Sequence, residues 1–274
     1  MALTLSSVPA VVDRIRTSRD VAFGSYFLSP GPVRDALASA ARRGAHVAVT
    51  LQADPYRNDY GARANADAAR DLRGAGATVT LLPSDRAPFH LKAAVCDGVA
   101  YLDDRNWTKR GPELVIADDD PADVALVRDA LAGRAGSDRT LATRKDVALR
   151  RELDLVEHAD RGPLRVETEH VSTSPLTRAL QRRARRGEPT TLIVASGRRP
   201  KREAHAIAAL RADGVTVRRG GVNEKLALAA GRAWIGSGNA TGAAGRNAAQ
   251  IEWGLVTREP TIVGAVRDAL ARDA

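Results

Sequence analysis

Several residue types are scarce in this chain of 274 residues. Its one cysteine, Cys96, excludes an intramolecular disulfide bond and a cysteine-rich metal site. Aromatic residues make up only 4%, so aliphatic side chains must fill the core. No apolar run is as long as the roughly 18 residues that a membrane span needs, and residues 1–19 do not read as a signal peptide. We therefore expect a cytoplasmic protein without a transmembrane segment.

Lysine is the scarcest charged residue. The chain has a net charge of +9 and a pI near 10.4, which favours polyanionic partners such as nucleic acid, anionic lipid or phosphorylated small molecules. Its arginine-rich composition is also typical of a GC-rich genome, so the charge alone does not decide the partner. Lysines that persist in this background are candidates for positions that need a compact ammonium group. Only five of the 42 basic residues are lysines, namely Lys92, Lys109, Lys145, Lys201 and Lys225.

The same order of elements is written twice along the chain. In each half a helix-like segment and an apolar run precede a proline-opened helix that ends in Arg-Arg-Gly, at residues 42–44 and 185–187. Strands and helices then alternate, which predicts α/β layers. We predict two similar halves, residues 1–134 and 146–274, with the polar segment 133–145 as their linker.

Each half contains a short motif with the same spacing. The first half has His90-Leu91-Lys92, followed by Asp97 and Asn106. The second half has Asn223-Glu224-Lys225, followed by Gly236-Ser237-Gly238-Asn239. The separation of the first and last motif residues is equal in the two halves, so both motifs fit one template.

This doubled pattern resembles the His-x-Lys-x4-Asp…Gly-Ser-x-Asn signature of the phospholipase D superfamily over essentially the whole chain. The resemblance implies an α/β fold of two phospholipase D-like halves, each a mixed sheet flanked by helices. It further implies that the halves pack as a pseudo-twofold pair with the active site at their interface. Both halves depart from the signature. The first has Asp103-Asp104-Arg105 before its asparagine, and the second has Asn223 for the histidine and Ala230 for the aspartate.

These residue types suit the cleavage of a phosphodiester, whose negative charge must be neutralised before a nucleophile attacks. Lys92 and Lys225 supply positive charge, and Asn106 and Asn239 supply neutral donors. An imidazole then attacks phosphorus to give a phosphohistidine. His90 is the motif histidine left for that role.

The resemblance implies roles for further residues. One histidine attacks and the other protonates the leaving oxygen, while Glu113 and Glu252 match the carboxylates that orient the imidazoles. Ser237 adds a hydroxyl donor. Asn223 cannot donate the proton, because an amide is not a general acid at neutral pH. His170, near the end of the first strand of the second half, is the best substitute on sequence.

Simpler roles compete with these. Asp97 is more often structural than catalytic at its position. Glu113, Glu252 and His170 also fit solvated strand ends. Trp107 either packs in the core or lines a pocket.

Three functions stay open at this point. The first is a metal-independent phosphodiesterase that acts through a phosphohistidine at His90 on nucleic acid, with single strands preferred because few features suggest groove reading. The second is a phospholipase D or phosphatidyl transferase that acts on anionic phospholipid. The third is a non-catalytic phosphate-binding protein, suggested by Asn223. We expect no cofactor and no metal, because the motif donors are cationic or neutral. The oligomeric state is open, and a monomer fits the sequence.

Overall fold

The computed structural model describes residues 3–55, 58–83, 88–107, 114–138, 140–159, 162–196, 201–221, 223–242 and 248–272. The elements of its first half are β1 (Thr4–Ser6), α1 (Val8–Thr17), β2 (Asp20–Ser25), α2 (Pro32–Arg42), β3 (His46–Gln52), α3 (Asp59–Gly74), β4 (Thr78–Leu82), β5 (Ala93–Cys96), β6 (Val99–Asp103), β7 (Val115–Asp118) and α4 (Pro121–Leu131). Those of its second half are β8 (Leu141–Arg144), α5 (Lys145–Glu157), β9 (Leu164–Thr168), α6 (Pro175–Arg185), β10 (Thr190–Ala195), α7 (Lys201–Ala212), β11 (Thr216–Gly221), β12 (Leu226–Ala229), β13 (Arg232–Gly236), β14 (Ile251–Thr257) and α8 (Pro260–Arg272).

Several of these helices begin at a residue that caps the helix N-terminus. Ser7 and Asn58 cap α1 and α3 by accepting a hydrogen bond from a backbone N–H in the first turn, and Asp120 does the same for α4. Ser174 and Thr177 form a capping box at the start of α6. Among the described residues, none of these helices has the length and apolar character that a membrane span needs.

Each half is built around a seven-stranded mixed sheet. The first sheet has the order β1-β7-β6-β5-β2-β3-β4, and the second has the order β8-β14-β13-β12-β9-β10-β11. In each sheet three strands are parallel, β2-β3-β4 and β9-β10-β11, and the remaining pairs are antiparallel. The two orders match strand for strand. The prediction of an α/β fold with two similar halves is therefore confirmed.

Three apolar clusters hold the layers together. One lies between the first sheet and α1–α3, and another between the second sheet and α5–α7. The third mixes buried side chains of both halves, such as Phe89, Leu91, Ile235 and Trp253, with residues of α4 and α8. Because this central cluster is shared, burial of apolar surface holds the halves against each other.

Hydrogen bonds also cross between the halves. Phe89, just before β5, forms an isolated parallel bridge with Ile251 at the start of β14. The N–H of His90 donates to the carbonyl oxygen of Ile251 at 2.8 Å. The indole Nε1 of Trp253 donates to the carbonyl oxygen of Asp103 at 2.8 Å. The start of β14 is thus fixed against the motif segment of the other half.

The segment 133–145, which the sequence predicts to be a linker, contains regular structure. β8 lies within it and pairs antiparallel with β14, and Lys145 begins α5. Four residues are too few to show an alternating pattern, and the partner strand lies far along the sequence. The prediction of a plain linker fails there because this strand depends on a distant partner.

Candidate active site

His90 lies between the two halves and has its carboxylate partner in the other half. The bridge between Phe89 and Ile251 fixes its backbone, and its Nδ1 lies 2.9 Å from Oε1 of Glu252 on β14. Glu252 is buried, and the side chain of His90 is 19% exposed. A neutral histidine that donates through Nδ1 carries its lone pair on Nε2. The first half therefore supplies an imidazole, and the second half supplies the group that orients it.

Two buried lysines accompany this histidine. Nζ of Lys92 lies 2.8 Å from Nδ1 and 2.9 Å from Nε2 of His90. Nζ of Lys225 donates to the carbonyl oxygen of Asn223 at 2.8 Å and lies 3.8 Å from Oε2 of Glu169. The charge of Lys225 acts on both His90 and Lys92. Two ammonium groups, one from each half, are held at one site, as the binding of a phosphoryl group requires.

Burial and neighbouring charges set the protonation of the site. Burial, together with Lys92, lowers the pKa of His90 to about 4, although Glu252 opposes the change. Burial and the charge of Lys225 lower the pKa of Lys92 to about 7. Burial by itself raises the pKa of Glu252, but Lys145, His90 and Lys92 outweigh it and bring that pKa to about 2. At neutral pH a neutral imidazole therefore lies beside an ionised carboxylate.

A third lysine, Lys145, belongs to the site although no motif contains it. Its Nζ donates to Oε1 of Gln250 at 3.2 Å and lies 3.9 Å from Oε1 of Glu252. Lys145 thereby supports the carboxylate that holds His90. The scarcity of lysine is the one sequence signal for it, since three of the five lysines meet here, whereas Lys201 is exposed at the start of α7.

Tyr26 and Glu169 occupy equivalent places, directly after β2 and β9, and both border this site. The ring of Tyr26 meets the ring of His90 edge-on, with centroids 4.7 Å apart, and Nζ of Lys92 lies 5.9 Å from the Tyr26 centroid. Burial by itself raises the pKa of Glu169, but Lys225, His170 and Lys92 together outweigh it and lower that pKa. Neither residue is part of the signature. Their proximity to the site becomes visible only in the structure, where the ends of β2 and β9 converge.

The two motif asparagines have different surroundings. Oδ1 of Asn239 accepts hydrogen bonds from the N–H of His170 at 3.1 Å and from Oγ1 of Thr168 at 3.4 Å. Its side chain also hydrogen-bonds Glu169, which places it beside the lysine site. Oδ1 of Asn106 is buried without a hydrogen-bond partner in the described part of the chain.

Ser237 is fixed by hydrogen bonds inside the second half. The next residue, Gly238, has no side chain that would collide with Glu252. Oγ of Ser237 accepts the N–H of Trp253 at 3.1 Å, and its own N–H donates to the carbonyl oxygen of Trp253 at 2.9 Å. A Cβ on Gly238 would lie 2.6 Å from Oε2 of Glu252. Any larger residue at Gly238 would displace the carboxylate that orients His90.

Comparison with known proteins adds the fold family. No protein-family model and no curated protein matches the chain. Polyphosphate kinase from Porphyromonas gingivalis matches with a TM-score of 0.70 and 16% identity, over 98% of this chain and 46% of its own. Nuc, a phospholipase D family member from Salmonella typhimurium, matches with a TM-score of 0.40 and 17% identity, over 48% of this chain and 93% of its own. The chain shares its two-half fold with that polyphosphate kinase. It spans less than half the length of the polyphosphate kinase.

The phospholipase D signature is broken at Asn223, and the backbone there differs from that at His90. Asn223 has a φ of 81°, in the left-handed region that asparagine tolerates better than most residues. His90 is not among the described residues with positive φ. The two side chains therefore leave the backbone in different directions. Oδ1 of Asn223 nevertheless accepts from Nζ of Lys225 at 3.3 Å, so in each half the motif lysine contacts the first residue of its own motif.

Asp103 and Asp104 replace the Gly-Ser of the phospholipase D signature in the first half. Oδ2 of Asp103 accepts the N–H of Trp107 at 2.7 Å, and Trp107 has a φ of 56°. Burial raises the pKa of Asp104 to about 6, although Lys225 and Arg105 oppose the change. The carbonyl oxygen of Asp104 lies 3.5 Å from Nζ of Lys225, across the interface. The altered turn thus holds Trp107 in a left-handed conformation and contacts the lysine of the other half.

His170 forms a second histidine–carboxylate pair, in the second half of the chain. Its Nδ1 lies 2.8 Å from Oε1 of Glu203, a buried residue of α7, and its Nε2 lies 3.6 Å from Oε1 of Glu169. The side chain of His170 is 51% exposed, so it is accessible to a ligand. Because Glu169 also lies beside Lys225, a continuous set of side chains links His170 to the lysine site.

Asp97 and Glu113 complete the sequence candidates. Oδ1 of Asp97 accepts the backbone N–H groups of Arg19 and Asp20, each at 3.0 Å, so its role here is structural. Glu113 lies outside the described residues. Within the described ranges, the histidine, cysteine and acidic side chains form no group of three that could hold a metal ion.

Proposed function

We propose that this protein is a metal-independent phosphodiesterase that works through a phosphohistidine at His90 and acts on single-stranded nucleic acid. The pair of His90 and Glu252 carries the proposal, because it joins a neutral imidazole to an ionised carboxylate beside two lysines. A neutral imidazole has the lone pair that a nucleophile needs. The polyphosphate kinase that shares the fold is named for a phosphoryl-transfer reaction, which accords with this class of chemistry.

In the proposed first step the lone pair of Nε2 of His90 attacks phosphorus. The P–N bond forms, the P–O bond to the leaving group breaks, and the leaving oxygen takes a proton from an acid. Glu252 accepts the hydrogen bond from Nδ1–H and balances the positive charge on the ring. Water then attacks the phosphohistidine, the P–N bond breaks, and the proton of the water returns to the group that served as acid.

His170 is our candidate for that acid. Its pair with Glu203 has the same form as the pair of His90 and Glu252, because in each a buried glutamate lies within 2.9 Å of Nδ1. The Nε2 of His170 faces Glu169, which borders Lys225. Asn223 is unsuited to the role. The proton donor would therefore come from the end of β9 rather than from the degenerate motif.

The substrate must carry a negative charge that two or more cationic groups can neutralise. Lys92 and Lys225 lie at the site, Lys145 lies behind Glu252, and Asn239 adds a neutral amide. Ammonium and amide donors stabilise phosphoryl oxygens directly and do not ligate Mg²⁺. A net charge of +9 further favours a polymer of phosphodiesters.

A second candidate is phosphoryl transfer from a condensed phosphate. Asn223 favours it, because the phosphate that leaves from a phosphoanhydride needs no general acid. In that case His90 would be phosphorylated by the terminal phosphoryl group, and a bridging P–O bond of the anhydride would break. The polyphosphate kinase that matches this chain acts, by its name, on such a substrate.

The deciding experiment is to trap the covalent intermediate. An oligothymidylate with a different dye at each end is mixed with the protein in EDTA, and the reaction is resolved on a denaturing gel. We expect cleavage and a protein band that carries one dye. Both should be absent from His90→Ala and present in the control His205→Ala, which changes an exposed residue of α7. Cleavage that persists in His90→Ala, or that requires added metal, would contradict the proposal.

The same assay separates the other substrates. An acid-labile phosphate on His90 that forms with polyphosphate, while DNA gives no adduct, would select the second candidate. Transfer from phosphatidylglycerol vesicles, with no DNA binding at about 50 mM salt where phosphate contacts are strong, would select a phospholipid. Binding of DNA without cleavage or adduct would leave a phosphate-binding protein.

A further inference from the structure

An aromatic groove opens beside the candidate active site in the first half. It encloses about 440 Å³ and is lined by Phe27, Tyr60, Trp107 and the motif residue Asn106, with a proline-rich turn at its edge. That volume falls within the range of about 300 to 1,000 Å³ that is typical of small-ligand sites. The chain has only ten aromatic residues, and three of them line this groove.

The groove lies next to the ring that contacts His90. The motif residue Asn106 lines the groove, and its buried Oδ1 has no hydrogen-bond partner in the described residues. Phe27 directly follows Tyr26, whose ring contacts His90. A ligand held by the lysines therefore has an aromatic surface one residue along the chain from Tyr26, whose ring contacts His90.

Tyr60 is the residue of the groove that is best placed to contact a ligand. It is 73% exposed, although large apolar and aromatic side chains are otherwise mostly covered in the described structure. Its ring lies 6.0 Å from the ring of Phe27, centroid to centroid, at an angle of 31°. An exposed ring that is backed by a second ring offers a flat face on which a nucleobase can stack.

The altered motif of the first half builds the floor of the groove. Trp107 adopts a left-handed conformation that is unusual for a bulky residue, and the carboxylate of Asp103 holds its N–H. Nε1 of Trp107 is used by the carbonyl oxygen of Gly24 at 3.3 Å, so the indole offers its ring rather than a donor. The change from glycine to Asp103 thus accompanies the aromatic floor, and the second half, with Gly236 and Ala240 at these places, has neither.

We propose that this groove is a nucleobase-binding subsite, in which the base next to the bound phosphodiester stacks on Tyr60 and Phe27. The inference rests on the proposed function, because it names the substrate part that the site recognises. A second groove of about 580 Å³ shares Pro30 and Tyr60 with the first, and two arginines and two aspartates line it, Arg34, Arg63, Asp59 and Asp67. Because these charges balance, the occupant follows from the stacked base and not from this groove. The occupant is a single-stranded oligonucleotide and not an isolated phosphate.

Binding of oligothymidylate is the test, measured by fluorescence anisotropy in the His90→Ala protein so that no cleavage interferes. Tyr60→Ala should weaken binding about 5- to 150-fold, the worth of one base stacked on an aromatic ring. Tyr60→Phe keeps the ring and should bind as before. Replacing one base of the oligonucleotide by an abasic site should cause a similar loss with Tyr60 present and little further loss in Tyr60→Ala. The slope of binding against salt should not change, because no phosphate contact is removed.

Cleavage of an oligomer of abasic deoxyribose phosphates separates this inference from the proposed function. This phosphodiester has no ring to stack, so in the presence of His90 its hydrolysis should be equal in Tyr60→Ala and in Tyr60→Phe. Equal oligonucleotide affinity for Tyr60→Ala and Tyr60→Phe would overturn the subsite, whether or not the ester is hydrolysed. Loss of ester hydrolysis in the unchanged protein would instead refute the phosphodiesterase while the binding comparison still decides on the groove.

Discussion

The two halves have the same sheet order but carry different side chains to their interface. After β2, the first half has Tyr26-Phe27, and after the equivalent β9 the second half has Glu169-His170. After the motif asparagine, the first half has Trp107 and the second half has Ala240. The first half thus brings the imidazole and the aromatic rings, whereas the second brings carboxylates and a histidine at another position.

This contrast shows which parts of a repeated fold are free to diverge. The strand order is held by close-packed cores, in which changes of volume are costly. Residues at the strand ends lie outside the close-packed cores, so that constraint does not act on them. The strand ends of the two halves can therefore carry different functional side chains. Glu252 illustrates the outcome, since the second half lost its own motif histidine yet keeps the carboxylate that serves His90.

The largest expected effect separates the two motif positions. His90→Ala should lower the turnover of bis-p-nitrophenyl phosphate by about 10⁴- to 10⁶-fold, as the loss of a nucleophile does in other enzymes. Asn223→Ala should cost less than about 10-fold, because Asn223 supplies neither a nucleophile nor an acid. Circular dichroism checks that both variants are folded. Equal losses at the two positions would mean that the halves contribute symmetrically, against our comparison.

A smaller effect concerns the acid. His170→Ala should slow cleavage of an alkyl phosphodiester by about 10²- to 10⁴-fold, the usual contribution of a general acid. It should scarcely change a p-nitrophenyl ester, whose leaving group departs without a proton. Asn223→His should not restore the loss, because a side chain at φ 81° starts in a different direction from that of His90. Recovery of the alkyl ester reaction in the double variant His170→Ala/Asn223→His would place the acid at the motif after all.

The first half alone should determine the pH profile of kcat/KM, with a maximum between about pH 4 and about pH 7. Below that window His90, with its pKa lowered to about 4, gains a proton and loses its lone pair. Above it Lys92, with its pKa lowered to about 7, loses the charge that binds the phosphoryl group. Each limb should fall about tenfold per pH unit for one proton. Initial rates with thymidine 5′-p-nitrophenyl phosphate measure the profile, and a rate that still rises from pH 7 to pH 9 would contradict it.

The smallest effect tests the support from the second half. Lys145→Met should lower kcat/KM about 10-fold, as the loss of a group that supports a first-contact partner commonly does. It should also move the acid limb to higher pH, because one positive charge near Glu252 and His90 is lost. Lys145→Arg keeps the charge and should recover most of the rate, and Lys201→Met serves as an exposed control. If kcat/KM falls but the acid limb of the pH profile does not move, Lys145 acts through packing and not through its charge.

Much of the fold follows from local sequence signals. α2 and α6 open with a proline and end at the predicted Arg-Arg-Gly segments, because caps and prolines act within a few residues. The repeat also predicts the paired sheets, since a matched order of elements requires matched topology. β8 was beyond this reasoning, because a four-residue strand depends on its distant partner β14.

The site was predictable only where residues share a strand or a motif. His90 and Lys92 are two residues apart, so an extended segment places them on one side. Lys145, Glu169 and Tyr60 come close to the motifs only through the packing of strand ends and helices. The spacing of residues along one sequence carries no information about that packing. Lysine scarcity is the exception, because composition alone makes Lys145 conspicuous.

The bridge between Phe89 and Ile251 has a consequence during synthesis of the protein on the ribosome. A ribosome synthesises His90 well before it reaches Ile251 and Glu252. Until then the imidazole lacks both the carbonyl that fixes its backbone and the carboxylate that orients its ring. We therefore expect a nascent chain to stay inert until residues 251 and 252 have left the ribosome. Under the proposed function, this delay would protect the messenger RNA from cleavage during translation.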